Sequence, residues 1–210
     1  MTASLTDLLS ESRQLGFLGP GPVEAHISHA AAFPSAVNEI PARALDLGAG
    51  GGLPGLVLAA TIWPGTTWTF LDAQLRRTDF LARASGALGL LDRVEVVNGR
   101  AEEVGRDLAH RAGYDLVVAR SFAAPAVVAE CAAPLLRVGG WLVVSEPPDT
   151  PLAARWPADG LALVGLGPVE AVEAVDDAGE PIHLVRTQLV TLPDHRFPRR
   201  VGVPSKRPIF

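Results

Sequence analysis

Three acids and a run of glycines are the residues in this chain best placed to do chemistry. Asp46 lies in the short apolar run Arg43-Ala-Leu-Asp-Leu47. Gly48, Gly50, Gly51 and Gly52 then fall within five residues, followed by Leu53-Pro54-Gly55. Glycines let a backbone take positive φ and let a ligand come close to the main chain, and proline is tolerated in a first helical turn, where amide donors have no partner. The pattern reads as strand, tight turn and helix start, which is the build of a nucleotide pocket. Asp72 closes a second alternating run, Thr66-Thr-Trp-Thr-Phe-Leu-Asp72. An acid about 20 residues past such glycines can accept hydrogen bonds from both hydroxyls of a ribose. A third run, Val94-Glu-Val-Val97, leads into Gly99-Arg-Ala-Glu-Glu103, with an acid placed to reach an adenine edge.

The ribose spacing suits NAD and S-adenosyl-L-methionine equally, and three features favour the second. The glycines follow Gly48-x-Gly50-x-Gly52, tighter than Gly-x-Gly-x-x-Gly. Asp46, two residues ahead, would repel a pyrophosphate but suits a cationic methionine moiety. The acid after the third run completes a ring of carboxylates, which matches a ligand carrying a sulfonium and an ammonium.

These anchors need a scaffold, and apolar patterning supplies one. Strands are predicted at 43–47, 67–71, 93–97, 114–119 and 140–145, with helices between them at 54–61, 74–88, 101–111 and 123–136. Such alternation implies a parallel sheet covered on both faces. The runs Leu116-Val-Val-Ala119 and Trp141-Leu-Val-Val144 suit strands buried on both sides. After a proline-rich break, Glu146-Pro-Pro-Asp-Thr-Pro151 and Trp156-Pro157, two more strands are predicted at 169–175 and 182–191. Asp176-Asp-Ala-Gly-Glu-Pro181 joins them with turn chemistry, so they form an antiparallel hairpin at the sheet edge. The fold class is therefore α/β: a Rossmann-like Class I methyltransferase sheet of seven mostly parallel strands, with helices on both faces. Two helices, at 4–15 and 22–37, precede it. The chain divides into an N-terminal helical extension (1–40), a cofactor-binding domain (41–195) and a basic C-terminal tail (196–210).

Composition bounds the rest. With 210 residues, 48% hydrophobic and 20% charged, the chain can bury one real core. Its one cysteine, Cys131, excludes an internal disulfide, suits a reducing compartment and reads as a core residue. Met1-Thr-Ala-Ser-Leu-Thr-Asp7 has no basic region leading into an apolar run, and no apolar stretch reaches the ~20 residues that span a bilayer, so a cytoplasmic protein with no membrane partner is expected. The five histidines are scattered. His26 and His29 lie three apart, too little for a metal site, so no metal is expected and both are read as structural or solvent-facing. Net charge is −5, but the last fifteen residues hold Arg196, Arg199, Arg200, Lys206 and Arg207 and no acid, leaving 13 positive against 23 negative charges elsewhere. That basic tail on an acidic body is either a solvated segment or a phosphate contact.

Five blocks resemble the RsmG (GidB) family of bacterial guanosine-N7 methyltransferases of small-subunit (16S) ribosomal RNA. They are Asp46-Leu-Gly-Ala-Gly-Gly-Gly-Leu-Pro-Gly55, Leu71-Asp-Ala-Gln-Leu-Arg-Arg-Thr-Asp-Phe-Leu81, Gly99-Arg-Ala-Glu-Glu103, Asp115-Leu-Val-Val-Ala-Arg-Ser-Phe-Ala123 and Arg196-Phe-Pro-Arg-Arg-Val-Gly-Val-Pro-Ser-Lys206. The Leu-Pro-Gly ending, the Ala-Arg-Ser-Phe-Ala block and the tail are the specific parts. The resemblance implies S-adenosyl-L-methionine as cofactor, with contacts at Gly48, Leu53, Asp72, Ala101, Glu102 and Arg120; the glycine-loop reading adds Asp46, Gly50 and Gly52. It implies ribosomal RNA or the small subunit as partner, with Arg76, Arg77 and the tail cations Arg196, Arg199, Arg200, Lys206 and Arg207 on phosphates. Guanine N7 carries a free lone pair and no proton, so the chemistry needs alignment more than a general base. Arg120, at the end of the fourth strand, is the candidate positioning residue, reaching either the cofactor carboxylate or a phosphate. Phe122 either stacks on an extruded base or packs in the core. Before Arg43 the only basic residue is Arg13, which leaves room for a small-molecule methyltransferase of the same fold. A non-catalytic cofactor-binding protein and an NAD-dependent oxidoreductase are further alternatives.

Overall fold

In the computed structural model, residues 4–148 and 151–210 are described; Asp149 and Thr150 of the proline-rich break and the first three residues lie outside them. Two helices, α1 (Leu5–Gln14) and α2 (Val23–Ala31), precede the sheet, and Ser4 and Asp7 close α1 with a reciprocal capping box. The sheet unit runs β1 (Arg43–Leu47), α3 (Gly55–Val57, continued by a π turn over Leu58–Ile62), β2 (Thr67–Asp72), α4 (Leu75–Ala87), β3 (Val94–Asn98), α5 (Ala101–Val104), β4 (Tyr114–Ala119), α6 (Pro125–Ala132) and β5 (Leu136–Ser145). Two short helices, α7 (Leu152–Arg155) and α8 (Ala158–Ala162), lead to β6 (Glu170–Val175) and β7 (Pro181–Gln188), and α9 (Val203–Lys206) lies in the C-terminal segment.

The seven strands lie in the order β3-β2-β1-β4-β5-β7-β6. β1 to β5 pair in parallel, whereas β7 pairs antiparallel with both β5 and β6. The predicted edge hairpin is present, with β7 inserted between β5 and β6. Strand order reverses between β1 and β4, and open sheets bind ligands at that crevice, beyond the carboxyl ends of the strands. Leu47, Asp72, Asn98, Ala119 and Ser145 mark those ends.

Alternation along each central strand divides the core. Leu45, Leu47, Val117, Ala119, Leu142 and Val144 pack on one face with α6, α8 and Phe197, and Ala44, Leu116, Val118 and Val143 pack on the other with α3 and α4. A third cluster, Leu9, Val23, Ala30, Leu53 and Val57, seats the N-terminal helices directly on the glycine loop.

The differences from the sequence reading have identifiable causes. The helix predicted at 101–111 stops at Val104. A Cβ on Gly105 would stand 2.9 Å from Pro198 Cγ, so the C-terminal segment occupies the space. Arg106 then donates to the Pro198 and Arg196 carbonyls, and Arg111 to those of Gly105 and Phe197. The tail is consequently a strap packed on the body, with Phe197, Pro198 and Pro204 buried. The N-terminal helix predicted at 22–37 breaks into α2 and a 3-10 turn over Phe33–Ala36, where Pro34 lacks an amide donor.

Candidate functional site

Each glycine of the loop meets a different neighbour. Gly48 and Ala49 donate their amides to the Leu71 carbonyl, which ties the end of β1 to the end of β2. Gly48 sits at φ +76, and a Cβ there would lie 2.5 Å from Phe122 Cδ2, so the Phe122 ring covers it. The Gly50 amide donates to Asp72 Oδ2. A Cβ on Gly51 would collide with Leu18 and Ser12, because Ser12 Oγ donates to the Gly51 carbonyl from α1. Gly52 turns toward Leu56.

A cavity of about 370 Å³ opens at the ends of β1, β2, β3 and β4. Its wall includes Gly48, Asp72, Arg77, Ala101, Glu102 and Phe122. The Asp72 carboxylate, 7% exposed, accepts from the Gly50 and Gln74 amides and faces Arg77 Nη1 at 3.6 Å. Each carboxylate oxygen has two lone-pair sites, so acceptor capacity remains for ligand hydroxyls. Glu102 lines the same wall, and its Oε1 accepts the Gly202 amide, linking the cavity to the C-terminal strap. Ser205 of α9 lines it too, a contact that the sequence reading did not single out.

A smaller cavity of about 190 Å³ lies beside it, between the glycine loop and the N-terminal segment, lined by Phe17, His26, Gly48, Gly50, Leu53 and Arg120 among others. Arg120 Nη2 donates to His26 Nδ1 at 3.0 Å, and the opposite ring nitrogen of His26 meets the Gly19 carbonyl. Burial holds the Arg120 guanidinium below the ordinary arginine range, and its Nη1 is buried without a partner among the described residues. His29 is also drawn in. Its Nε2 faces Ser145 Oγ at 3.1 Å, its Nδ1 is buried and unpartnered among the described residues, and burial lowers its pKa to about 4, leaving the ring neutral at pH 7. The two histidines read as structural or solvent-facing thus line the crevice, because α2 packs across the ends of β4 and β5. Ser121, beside Arg120, holds the left-handed conformation at φ 57, a strained geometry of the kind that collects at functional sites.

Three expected contacts fall elsewhere. Asp46 lines neither cavity: it is fully buried behind the loop, where Oδ2 accepts the Gly55 amide at 2.7 Å and Oδ1 has no partner among the described residues. Gly52 likewise faces the core side of the loop. Arg199 is committed to Glu130, which accepts its Nε and Nη2 at 2.8 and 2.6 Å. The remaining cations differ in freedom. Arg77 is half-buried between the cavity and Phe17, and Arg196 lies over the Phe197 ring. Arg76, Arg200, Lys206 and Arg207 are exposed, and none of their side chains forms an ion pair among the described residues. Cys131 is buried at the floor of the larger cavity, where burial pushes its thiol far up. Among the described residues no group of three or more His, Cys, Asp or Glu could hold a metal ion, and no helix is long and apolar enough to cross a membrane.

Asp46 gives a pH signature. Burial raises its pKa from 3.8 to about 7, against the lowering effect of the Gly55 amide. The folded protein therefore holds this proton more tightly than the unfolded chain does. The contribution is full below about pH 4 and is lost as pH rises through 7. Asp46→Asn keeps an acceptor for Gly55 and removes the charge. It is expected to be more stable than the parent at pH 8, by on the order of 2–4 kcal/mol, and to lose that advantage toward pH 4. Urea unfolding at both pH values measures it; a pH-independent difference would mean that Asp46 does not titrate in this window.

Comparison with known proteins agrees with this geometry. The family model described as rRNA small subunit methyltransferase G matches residues 22–146. The ribosomal RNA small subunit methyltransferase G of Rubrobacter xylanophilus is 38% identical over 174 residues, covering 80% of this chain and 65% of that protein. The protein of the same name from Chloroflexus aggregans is 38% identical over 173 residues, covering 80% and 70%. The chain thus spans about two thirds of the length of these relatives. Among solved structures, the O-methyltransferase TomG of Streptomyces achromogenes, in complex with SAM, superposes with TM-score 0.58 at 19% identity, covering 91% of this chain and 93% of that one. An O-methyltransferase from Bacillus cereus in complex with SAH gives 0.56 at 17% identity, covering 86% and 90%. At these identities the likeness is one of fold, and it is the fold expected. With the family model spanning more than half of the chain and the relatives matching well beyond it, this protein belongs to the rRNA small subunit methyltransferase G (GidB) family.

Proposed function

We propose that the protein is an S-adenosylmethionine-dependent methyltransferase acting on N7 of a guanosine in small-subunit ribosomal RNA, in the cytoplasm. The observation that carries the reading is the cavity at the switch point, where Gly48, Asp72 and the pair Ala101 and Glu102 converge from three separate strand ends. The fit is tested by the atoms left without partners. Arg120 Nη1 is a buried donor with no partner among the described residues, and a Cβ at Gly48 would fill the cradle under Phe122. Asp72 would take the ribose hydroxyls, Ala101 and Glu102 the adenine end, and Leu53, the glycine loop and Arg120 the methionine end.

When bound, S-adenosylmethionine supplies an activated methyl group. The chain's own task is then to align and to exclude water. Phe122 and Ser121 form the boundary between the cofactor cavity and the space beside β5, and His29 of α2 lines that second space. Asp46 acts from behind, fixing the start of α3 through Gly55. Arg76 and the strap cations Arg200, Lys206 and Arg207 would supply phosphate contacts: all four are exposed, and Arg77 and Ser205, next in the chain to Arg76 and Lys206, line the cavity.

Asp72→Ala is expected to weaken S-adenosylmethionine binding by about 1.5–3 kcal/mol through lost hydrogen bonds to a charged acceptor. Calorimetric titration measures it; unchanged affinity would sink the assignment of the ribose site. The deciding experiment for function is methyl transfer from labelled cofactor to small subunits that lack native N7 methylation, with the modified nucleotide mapped. Label at one guanine N7 is the expected result. Cofactor binding without label on any RNA would turn the reading to a small-molecule acceptor.

A further inference from the structure

A separate cavity of about 400 Å³ lies past the ends of β4 and β5. Its wall includes Ser121, Phe122 and Ala123, which also line the cofactor cavity, so the two spaces adjoin. The rest of the wall brings two kinds of surface together. Val128 and Val144 are apolar, whereas Glu146 and Arg155 are charged. Phe122 presents an aromatic side chain to this space, and aromatic faces receive extruded bases by stacking.

The position of Glu146 is over-determined. Its amide donates to the His183 carbonyl, extending the β5–β7 ladder by one residue. Its carboxylate, 8% exposed, accepts Arg155 Nε at 2.6 Å on Oε2. Oε1 has no partner among the described residues. The carboxylate can therefore accept further bonds at Oε1 and at the second lone pair of Oε2.

A carboxylate held at the wall of a base-sized pocket is a discriminating reader, because it only accepts. Guanine alone presents two adjacent donors, N1–H and the N2 amino group, on its pairing edge. Adenine and cytosine each place a ring-nitrogen acceptor beside their single amino donor, and uracil flanks its one N–H with two carbonyls. We propose that this cavity is the acceptor-base pocket and that Glu146, braced by Arg155, selects guanine through N1–H and N2–H while Phe122 stacks on the ring. The proposal rests on the RNA methyltransferase reading above, and it names the residue that sets base specificity.

Inosine tests it, since inosine lacks only the N2 amino group and keeps N7, O6 and N1–H. Small subunits carrying guanosine or inosine at the mapped position are methylated by the parent and by Glu146→Ala, with cofactor affinity measured separately. For the parent, kcat/KM is expected to fall about ten- to hundredfold on inosine, the loss of a hydrogen bond to a charged group. Glu146→Ala is expected to lose at least as much on guanosine and little more on inosine, so the two losses do not multiply, and its cofactor affinity stays that of the parent. Glu146→Gln, which keeps one acceptor, is expected to recover part of the guanosine activity.

A parent enzyme that methylates inosine as fast as guanosine overturns the pocket without any variant, as does Glu146→Ala with full activity or undiminished preference for guanosine. Those failures leave the methyltransferase function standing. A parent enzyme that labels no RNA at all overturns both readings together.

Discussion

Replacing Arg199 with alanine is expected to remove about 3–5 kcal/mol of unfolding free energy, the usual cost of stripping one partner from a buried ion pair. Glu130 lies in the last turn of α6 with its side chain fully buried, and Arg199 reaches it with Nε, Nη2 and its own amide. Without the guanidinium, the carboxylate is left in an apolar layer beside Cys131 with a single amide donor. The double variant Glu130→Gln with Arg199→Met keeps an acceptor for that amide and removes both charges. It is expected to recover most of the loss, since a buried pair is costly to break but not costly to replace. Urea unfolding of the three proteins decides the matter. A loss under about 1 kcal/mol for Arg199→Ala would mean that Glu130 finds another partner and that the strap is not anchored there.

The same pair changes how the strap can be tested for RNA contact. Deleting residues 196–210 would uncover Glu130 and strip Pro198 from Gly105, so lost RNA binding after deletion would not distinguish contact from damage. Neutralising Arg200, Lys206 and Arg207, which are exposed, separates the two, because phosphate contacts reveal themselves by a shallower dependence of binding on salt.

How far the sequence could be read follows from which interactions are local. The five parallel strands and the edge hairpin were legible because period-2 apolar runs and glycine punctuation are written within a few residues. That Gly48, Asp72, Ala101 and Glu102 meet at one end of the sheet was legible because each lies at a strand end or within four residues of one. Asp46 shows the limit. Its place in the motif suggests a ligand contact, but its pleat direction turns it to the far side of the loop, onto Gly55. His26 and His29 show a second limit, since only the packing of α2 across the sheet brings them to Arg120 and Ser145. Arg199 shows a third. A cluster of cations in sequence says nothing about which one a buried acid 69 residues away will claim. Glu146 likewise sat in what reads as a proline-rich break, and only the cavity beside β5 gives its carboxylate a purpose.

Gly48→Val is expected to abolish cofactor binding while leaving a folded protein. Valine is among the residues least tolerant of positive φ, and Gly48 is held at +76 by the bonds that its own and the Ala49 amides give to Leu71. The strain is about 1–3 kcal/mol. The new side chain would also have to displace Phe122, whose ring stands 2.5 Å from the Cβ position, into one of the two cavities it separates. Both effects act where the ligand must approach the main chain, so affinity is expected to fall at least about hundredfold, the equivalent of some 2.7 kcal/mol. Gly51→Ala is the informative contrast. Its Cβ would push on Leu18 and Ser12 of the N-terminal segment and not on Phe122, so it is expected to loosen that segment and cost stability with a smaller loss of affinity. Calorimetric titration with S-adenosylmethionine beside thermal unfolding separates the two glycines. Equal loss of affinity in both would mean that the loop acts as one rigid unit. Parent-like affinity in Gly48→Val would mean that the cofactor does not pass beneath Phe122, and the cavity assignment would fall with it.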